Sequence, residues 1–179
     1  MDHSKPNPLE TSRDGGKPSP KRPGRPKAEP LTVGWRELAE LPEWEIPSIL
    51  AKIDTGARTS ALHVENLVET GENRLRFDVV IRERPEHVVQ TVEADLVRWT
   101  RVRPSSGEGQ MRPVVRTRLC LGPWEREIEI SLVRRPGMLC RMLIGRRAMK
   151  GLRVHPGKRY LVSTPPTSAP RPSRQRSTS

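Results

Sequence analysis

Residues 52–63 read Lys52-Ile53-Asp54-Thr55-Gly56-Ala57-Arg58-Thr59-Ser60-Ala61-Leu62-His63, and they set one carboxylate, Asp54, at the end of an apolar run. A hydroxyl, Thr55, and a glycine, Gly56, follow at once. Water attacks an amide slowly, and two carboxyl groups about 3 Å apart overcome this by sharing one proton, because like charges so close cannot both ionise. One takes a proton from the attacking water while the other donates to the carbonyl oxygen. Asp54 is suited to be one of such a pair, with Thr55 holding the turn through its hydroxyl and Gly56 permitting close backbone approach. The chain carries a single Asp-Thr-Gly. A catalytic pair therefore requires two copies, which predicts a twofold homodimer with Asp54 and its mate at the axis. The tripeptide alone is also an ordinary strand-to-turn signal, so its surroundings must decide.

Three neighbours could take part. Arg58, four positions beyond the aspartate, could favour the ionised form of Asp54 or clamp a substrate carboxylate in a bidentate fork. It could equally pair with a surface acid. His63 could tune protonation near the site or serve as a partly buried strand residue. Arg112 could meet an acidic substrate. Ser60 has no Ser-His-Asp arrangement around it and is set aside. Four scattered histidines (His3, His63, His87, His155) and two distant cysteines (Cys120, Cys140) form no recognisable zinc set. The expectation is no metal and no other cofactor. The cysteines lie in apolar runs, where cysteine behaves as a small core residue.

These groups need a rigid frame. Ile46, Ile49, Leu50 and Ile53 lead to Asp54, and Pro47 argues against a long helix there. After a turn at residues 71–73, Leu75, Phe77, Val79 and Ile81 alternate with polar residues as in a half-buried strand. Residues 88–97 continue the β pattern. A basic stretch, 98–103, opens onto a polar, glycine-containing loop at 104–110, a candidate mobile element. Residues 114–121 and 127–132 form a hairpin about Gly122-Pro123. An apolar run, 138–145, precedes about one helical turn at 146–150 and a last strand over 152–162, interrupted at Pro156-Gly157. Short, evenly spaced strands with little helix predict an all-β, closed β-barrel.

The chain has 179 residues and a formal net charge of +12. Its Pro-rich ends lack large apolar residues and cannot bury enough surface to offset the entropy of ordering. The expected organisation is a disordered basic tail over 1–30, one domain over 31–162 and a disordered Pro/Ser/Arg-rich tail over 163–179. A basic surface suits an acidic partner. The N-terminal tail holds Gly24-Arg25-Pro26 between basic residues, similar to an AT-hook that lays arginine in a narrow minor groove. Arg22, Arg25 and Lys27 would make any such DNA contact. No stretch approaches a membrane span, and the N-terminus lacks the apolar region of a signal peptide, so the expected location is cytoplasmic.

The block at 52–63 resembles the signature of a retropepsin-like, RimB-like family labelled ATP-dependent zinc proteases and associated with glutamate ligases of the RimK type. Ser105-Ser106-Gly107 with Arg112-Pro113-Val114-Val115 and Thr117 is similar to the family's middle block. Arg135, Met138 and Met142-Leu143-Ile144-Gly145-Arg146-Arg147-Ala148 are similar to its third. The resemblance implies an aspartic-peptidase barrel in which Leu143-Ile144-Gly145 packs against the strand bearing Asp54. It also implies that the loop at 105–110, with Ser106 and Gly107, acts as a flap over substrate. The expected activity is aspartic peptidase action on peptide or protein, with glutamate-rich or amino-acid-tagged tails as the substrate implied by the ligase association. The zinc and ATP of the label find no counterpart in the residues: there is no His-Glu-x-x-His and no phosphate-binding Gly-Lys-Ser/Thr loop. The competing reading is a non-catalytic β-barrel that recruits acidic polypeptides or nucleic acid through its basic tails.

Overall fold

The computed structural model describes residues 29–102 and 109–165. Eleven strands account for nearly all of its regular structure: β1 (Leu31–Gly34), β2 (Arg36–Leu41), β3 (Ile46–Asp54), β4 (Ser60–Gly71), β5 (Arg74–Arg82), β6 (Val88–Asp95), β7 (Arg98–Val102), β8 (Gln110–Leu121), β9 (Trp124–Val133), β10 (Met142–Gly145) and β11 (Leu152–His155). A single 3₁₀ turn, Pro42–Trp44, is the one helical element among the described residues.

Pairing runs β10-β3-β2-β8-β9-β4, and β4 pairs back onto β10, so six strands close into a ring. Closure depends on the shortest of them. β10 lies parallel to β3 on one side and antiparallel to β4 on the other, with Leu143 opposite both Lys52 and Ala61. Outside the ring, β4 continues past Asn66 (φ 50°) into an antiparallel meander with β5 and β6, and β7 lines the first half of β8. The register of β4 shifts between Glu65 and Val68, so this local irregularity lets one strand serve two sheets. The expected all-β closed barrel is the observed fold.

The core follows the alternation. Leu75, Phe77 and Val79 of β5 and Ile128, Ile130 and Leu132 of β9 are buried with Leu41, Ile46, Ile49, Leu62, Met142 and Ile144. Trp44 meets Phe77 edge-on, ring centroids 5.7 Å apart, a favoured aromatic geometry. The run ending at Gly145 yields a strand only over its last four residues, and beyond it Ala148 and Met149 donate to the carbonyls of Gly145 and Arg146 in one tight turn.

The expected last strand over 152–162 is shorter. β11 stops at His155 and pairs in parallel with β1. The chain then turns at Pro156-Gly157, and residues 158–163 run as a strap beside the start of β2, with Trp35 N–H donating to the Lys158 carbonyl and Tyr160 N–H to the Arg36 carbonyl. The reason is Glu37, fully buried at the start of β2. Its carboxylate accepts from the N–H groups of Gly34 (2.6 Å), Leu161 (2.8 Å) and Val162 (3.4 Å) and from the Ser163 hydroxyl (2.6 Å). A buried carboxylate persists only when its lone pairs are satisfied, and here the strap supplies most of the donors. Ser163, assigned to a tail by composition, thus belongs to the fold. Residues 1–28 and 166–179, with Arg22, Arg25 and Lys27, lie outside the described residues.

Candidate active site

Asp54 ends β3 at the rim of the ring, where Gly145 is its partner in β10. Its Oδ1 accepts from the N–H groups of Gly56 (3.0 Å) and Ala57 (3.1 Å), so the carboxylate itself folds the turn that carries it. Thr55 was expected to hold this turn. Its side chain is exposed, and the turn is fastened instead by Arg146, whose guanidinium donates to the carbonyls of Thr55 (2.9 Å) and Gly56 (2.8 Å). Backbone bonds add to this: Arg146 N–H reaches the carbonyl of Ala57 and Arg147 N–H that of Arg58. Gly145 N–H donates to the buried Ser60 hydroxyl at 3.2 Å. Arg146 and Ser60 are positioning groups, and Arg146 stands directly after the Leu-Ile-Gly segment, which was the available signal for it.

Gly145 is fixed by space. A methyl group placed on it would lie 2.5 Å from the backbone carbon and oxygen of Thr59. Only a hydrogen fits where β10 meets the chain leaving the Asp54 turn.

A cleft of about 760 Å³ opens beside Asp54. Ala61, Leu143 and Ser131 line it between Asp54 and β8. Among the described lining residues Asp54 is the single carboxylate, surrounded by six arginines: Arg58, Arg98, Arg101, Arg112, Arg135 and Arg147. Arg58 and Arg112 were legible as candidates. Arg98, Arg101, Arg135 and Arg147 come from strand ends scattered over the chain, and only ring closure gathers them. Ser106 and Gly107, expected in a flap, lie outside the described residues.

His63 is not in the cleft. It lies two residues beyond Ala61 on β4, is 1% exposed, and accepts at Nδ1 from the Arg135 N–H (3.1 Å). Its Nε2 faces Glu65 and Glu83 at 4.0 and 3.9 Å. Among the described residues no three His, Cys, Asp or Glu side chains converge as a metal site. Near His63, Glu83 is already paired with the Arg141 cation at 2.7 Å. These residues do not fit the zinc of the family label.

Hydrogen-bonded and ion-paired carboxylates give the fold an acid limit. Arg98, on the cleft wall, donates to Glu129 at 2.6 Å and holds its carboxyl below the ordinary range. The Thr91 hydroxyl and Asn66 amide do the same for Asp78, and Arg141 for Glu83. A carboxylate whose pKa is lowered by folding binds protons more readily when unfolded. Its stabilisation is complete above the unfolded value and is lost as pH falls through the folded one. Thermal melts should therefore show a Tm steady down to about pH 4.5, the ordinary glutamate value, and falling below it. Glu129→Gln should flatten part of that fall. A Tm that climbs on acidification would contradict this account of the lowered carboxylates.

A closed six-stranded β-barrel whose Asp-Thr-Gly turn is paired to an apolar-apolar-Gly strand is a retropepsin-like barrel. The chain belongs to the RimB-like family, described as retropepsin-like aspartic endopeptidase RimB, whose pattern matches residues 32–165. It is 37% identical over 124 residues to a probable alpha-L-glutamate ligase of Parasynechococcus marenigrum, matching 68% of this chain and 27% of that protein. A probable alpha-L-glutamate ligase of Shewanella pealeana is 32% identical over 120 residues, 65% of this chain and 26% of the relative. The chain thus spans about a quarter of the length of the curated relatives it matches. Among solved structures, the crystal structure of Lpg0085 from Legionella pneumophila, a protein of unknown function, aligns with a TM-score of 0.62 at 28% identity. That alignment covers 74% of this chain and 98% of the other. No helix among the described residues is long and apolar enough to cross a membrane.

Proposed function

We propose that this chain is one half of an aspartic peptidase that hydrolyses amide bonds in glutamate-rich or amino-acid-tagged protein tails. The observation that carries the reading is a lone, turn-fixed carboxylate at the edge of a cleft whose other described charges are six arginines. Relatives named probable alpha-L-glutamate ligase carry a segment similar to this chain over about a quarter of their length, which supports a glutamyl amide as substrate.

In the proposed reaction two copies bring their Asp54 side chains together about the twofold axis, with one proton shared between the carboxyl groups. The ionised carboxylate takes a proton from a water molecule as its oxygen bonds to the amide carbon. The protonated carboxyl gives its proton to the carbonyl oxygen, forming a neutral tetrahedral gem-diol. Proton transfer to the nitrogen and cleavage of the C–N bond then release an amine and a carboxylic acid. Arginines along the cleft hold the substrate's carboxylates, and they would steer an acidic chain toward it in a manner weakened by salt.

Subunit mixing tests this. Excess Asp54→Asn protein added to the unmodified protein should suppress hydrolysis of hexaglutamate below simple dilution, since mixed dimers hold one carboxylate. Hexaglutamine should be a poor substrate. Activity proportional to the unmodified protein at every mixing ratio would rule out a shared site. Salt-sensitive hexaglutamate binding with no hydrolysis by the unmodified protein would favour a barrel that only binds acidic chains.

A further inference from the structure

The arginines of this fold are not treated alike. Arg141, 7% exposed, has Glu83 at 2.7 Å. Arg98 has Glu129 at 2.6 Å, and even the exposed Arg74, Arg116 and Arg118 have carboxylates within 4 Å. Arg112 is the other buried arginine, and it is held differently. It is 8% exposed on β8, and its Nε donates to the neutral amide oxygen of Gln110 at 3.2 Å. Among the described residues it has no carboxylate within ion-pair distance. The charge that acts on it is another cation, Arg135, which follows β9 and lines the same cleft. Burial and that repulsion both weaken the proton affinity of Arg112. A buried charge without a counter-charge is costly, and two cations sharing the position add to the cost.

We infer that Arg112 and Arg135 form a carboxylate subsite, which a carboxylate of the substrate completes by bridging the two guanidinium groups. This rests on the proposal that the cleft receives an acidic polypeptide, and adds where along the cleft one carboxylate is read. In the ring, β10 and β4 lie between β3, which carries Asp54, and β9. Strand spacings of about 4.8 Å, shortened by the curvature of the wall and the reach of the side chains, put the subsite on the order of 10 Å from Asp54. That distance is about three residues of extended peptide. The carboxylate is either a glutamate side chain at that position or the chain's terminal α-carboxylate, and a bidentate guanidinium suits both. Arg135 is exposed but its backbone is anchored: its N–H donates to His63 Nδ1.

The test is fluorescence anisotropy of N-terminally labelled hexaglutamate on Asp54→Asn protein, which separates binding from hydrolysis. Adding Arg135→Gln should weaken binding about tenfold or more, the range of a charge-assisted hydrogen bond. Arg116→Gln, an exposed arginine away from the cleft, should change it less than about twofold, as expected of a surface charge. Arg112→Gln should weaken binding as Arg135→Gln does while Tm holds or rises, because a buried, unpaired charge is removed. A structural role for Arg112 would instead lower Tm. Amidating the hexaglutamate C-terminus separates the two carboxylate sources: affinity that drops and no longer responds to Arg135→Gln identifies the terminal carboxylate, and unchanged behaviour identifies a side chain. Arg135→Gln binding as tightly as Arg116→Gln overturns the subsite. A subsite that passes this test in a protein that hydrolyses nothing would leave the inference standing and remove the peptidase.

Discussion

Asp54→Asn should reduce hydrolysis of glutamate-rich peptides by about a thousandfold or more, with the fold unchanged. The substitution is close to isosteric, and an asparagine oxygen can still accept from the Gly56 and Ala57 N–H groups that Asp54 Oδ1 now engages. Arg146 continues to hold the carbonyls of Thr55 and Gly56. What is lost is the ability to take a proton from water. In a homodimer both carboxyl groups vanish with one substitution, so neither the base nor the acid survives. General acid–base groups contribute about 10²–10⁴-fold each, and members of one catalytic unit do not add independently. A mass-spectrometric assay of product release, read alongside Tm, checks the result. Hydrolysis persisting at the unmodified rate would remove Asp54 from the chemistry.

Gly145→Ala should be the most damaging small substitution in the barrel, costing about 3 kcal/mol, the upper part of the range for overpacking a filled site. The new methyl would meet the Thr59 backbone at 2.5 Å. Relief is blocked on every side. Gly145 N–H is tied to Ser60, the next two N–H groups are tied to Ala57 and Arg58, and β10 is held between β3 and β4. Moving β10 away would displace the Asp54 turn with it, so activity should fall more than stability alone explains. Calorimetry should show a Tm drop of about 10 °C. Gly71→Ala, where nothing lies within 4 Å of an added Cβ, is the matched control and should shift Tm little. Equal effects at the two positions would refute the close-packing argument.

The fold was readable because local signals and burial agree. Leu75, Phe77 and Val79 alternate in sequence and are buried in the structure, and the turns at residues 71–73 and Gly122-Pro123 fall between strands. Much of the site could not be read this way. Arg98 and Arg101 are each locally indistinguishable from a solvated surface arginine, and Arg135 and Arg147 were marked only by the block similar to the family's third, with no role attached. Their common role exists only once β7, β8, β9 and β10 meet around the cleft. Glu37 gave no local hint either, since its donors at Leu161, Val162 and Ser163 lie over 120 residues away. His63 sits in the block around Asp54 yet outside the cleft, because two residues along a strand is about 7 Å, enough to carry it past the rim. Motif proximity indicated a neighbourhood, and strand geometry decided which members face the cavity.

The late arrival of β10 also sets an order of events during synthesis. Arg146, which fastens the Asp54 turn, lies 91 residues after Thr55. At about 5–20 residues per second, the turn leaves the ribosome roughly 5–18 s before the group that holds it has been made. Until then β3 and β4 have no β10 between them, the ring is open, and the arginines of the cleft are not assembled. A nascent chain therefore carries its aspartate without a shaped site around it.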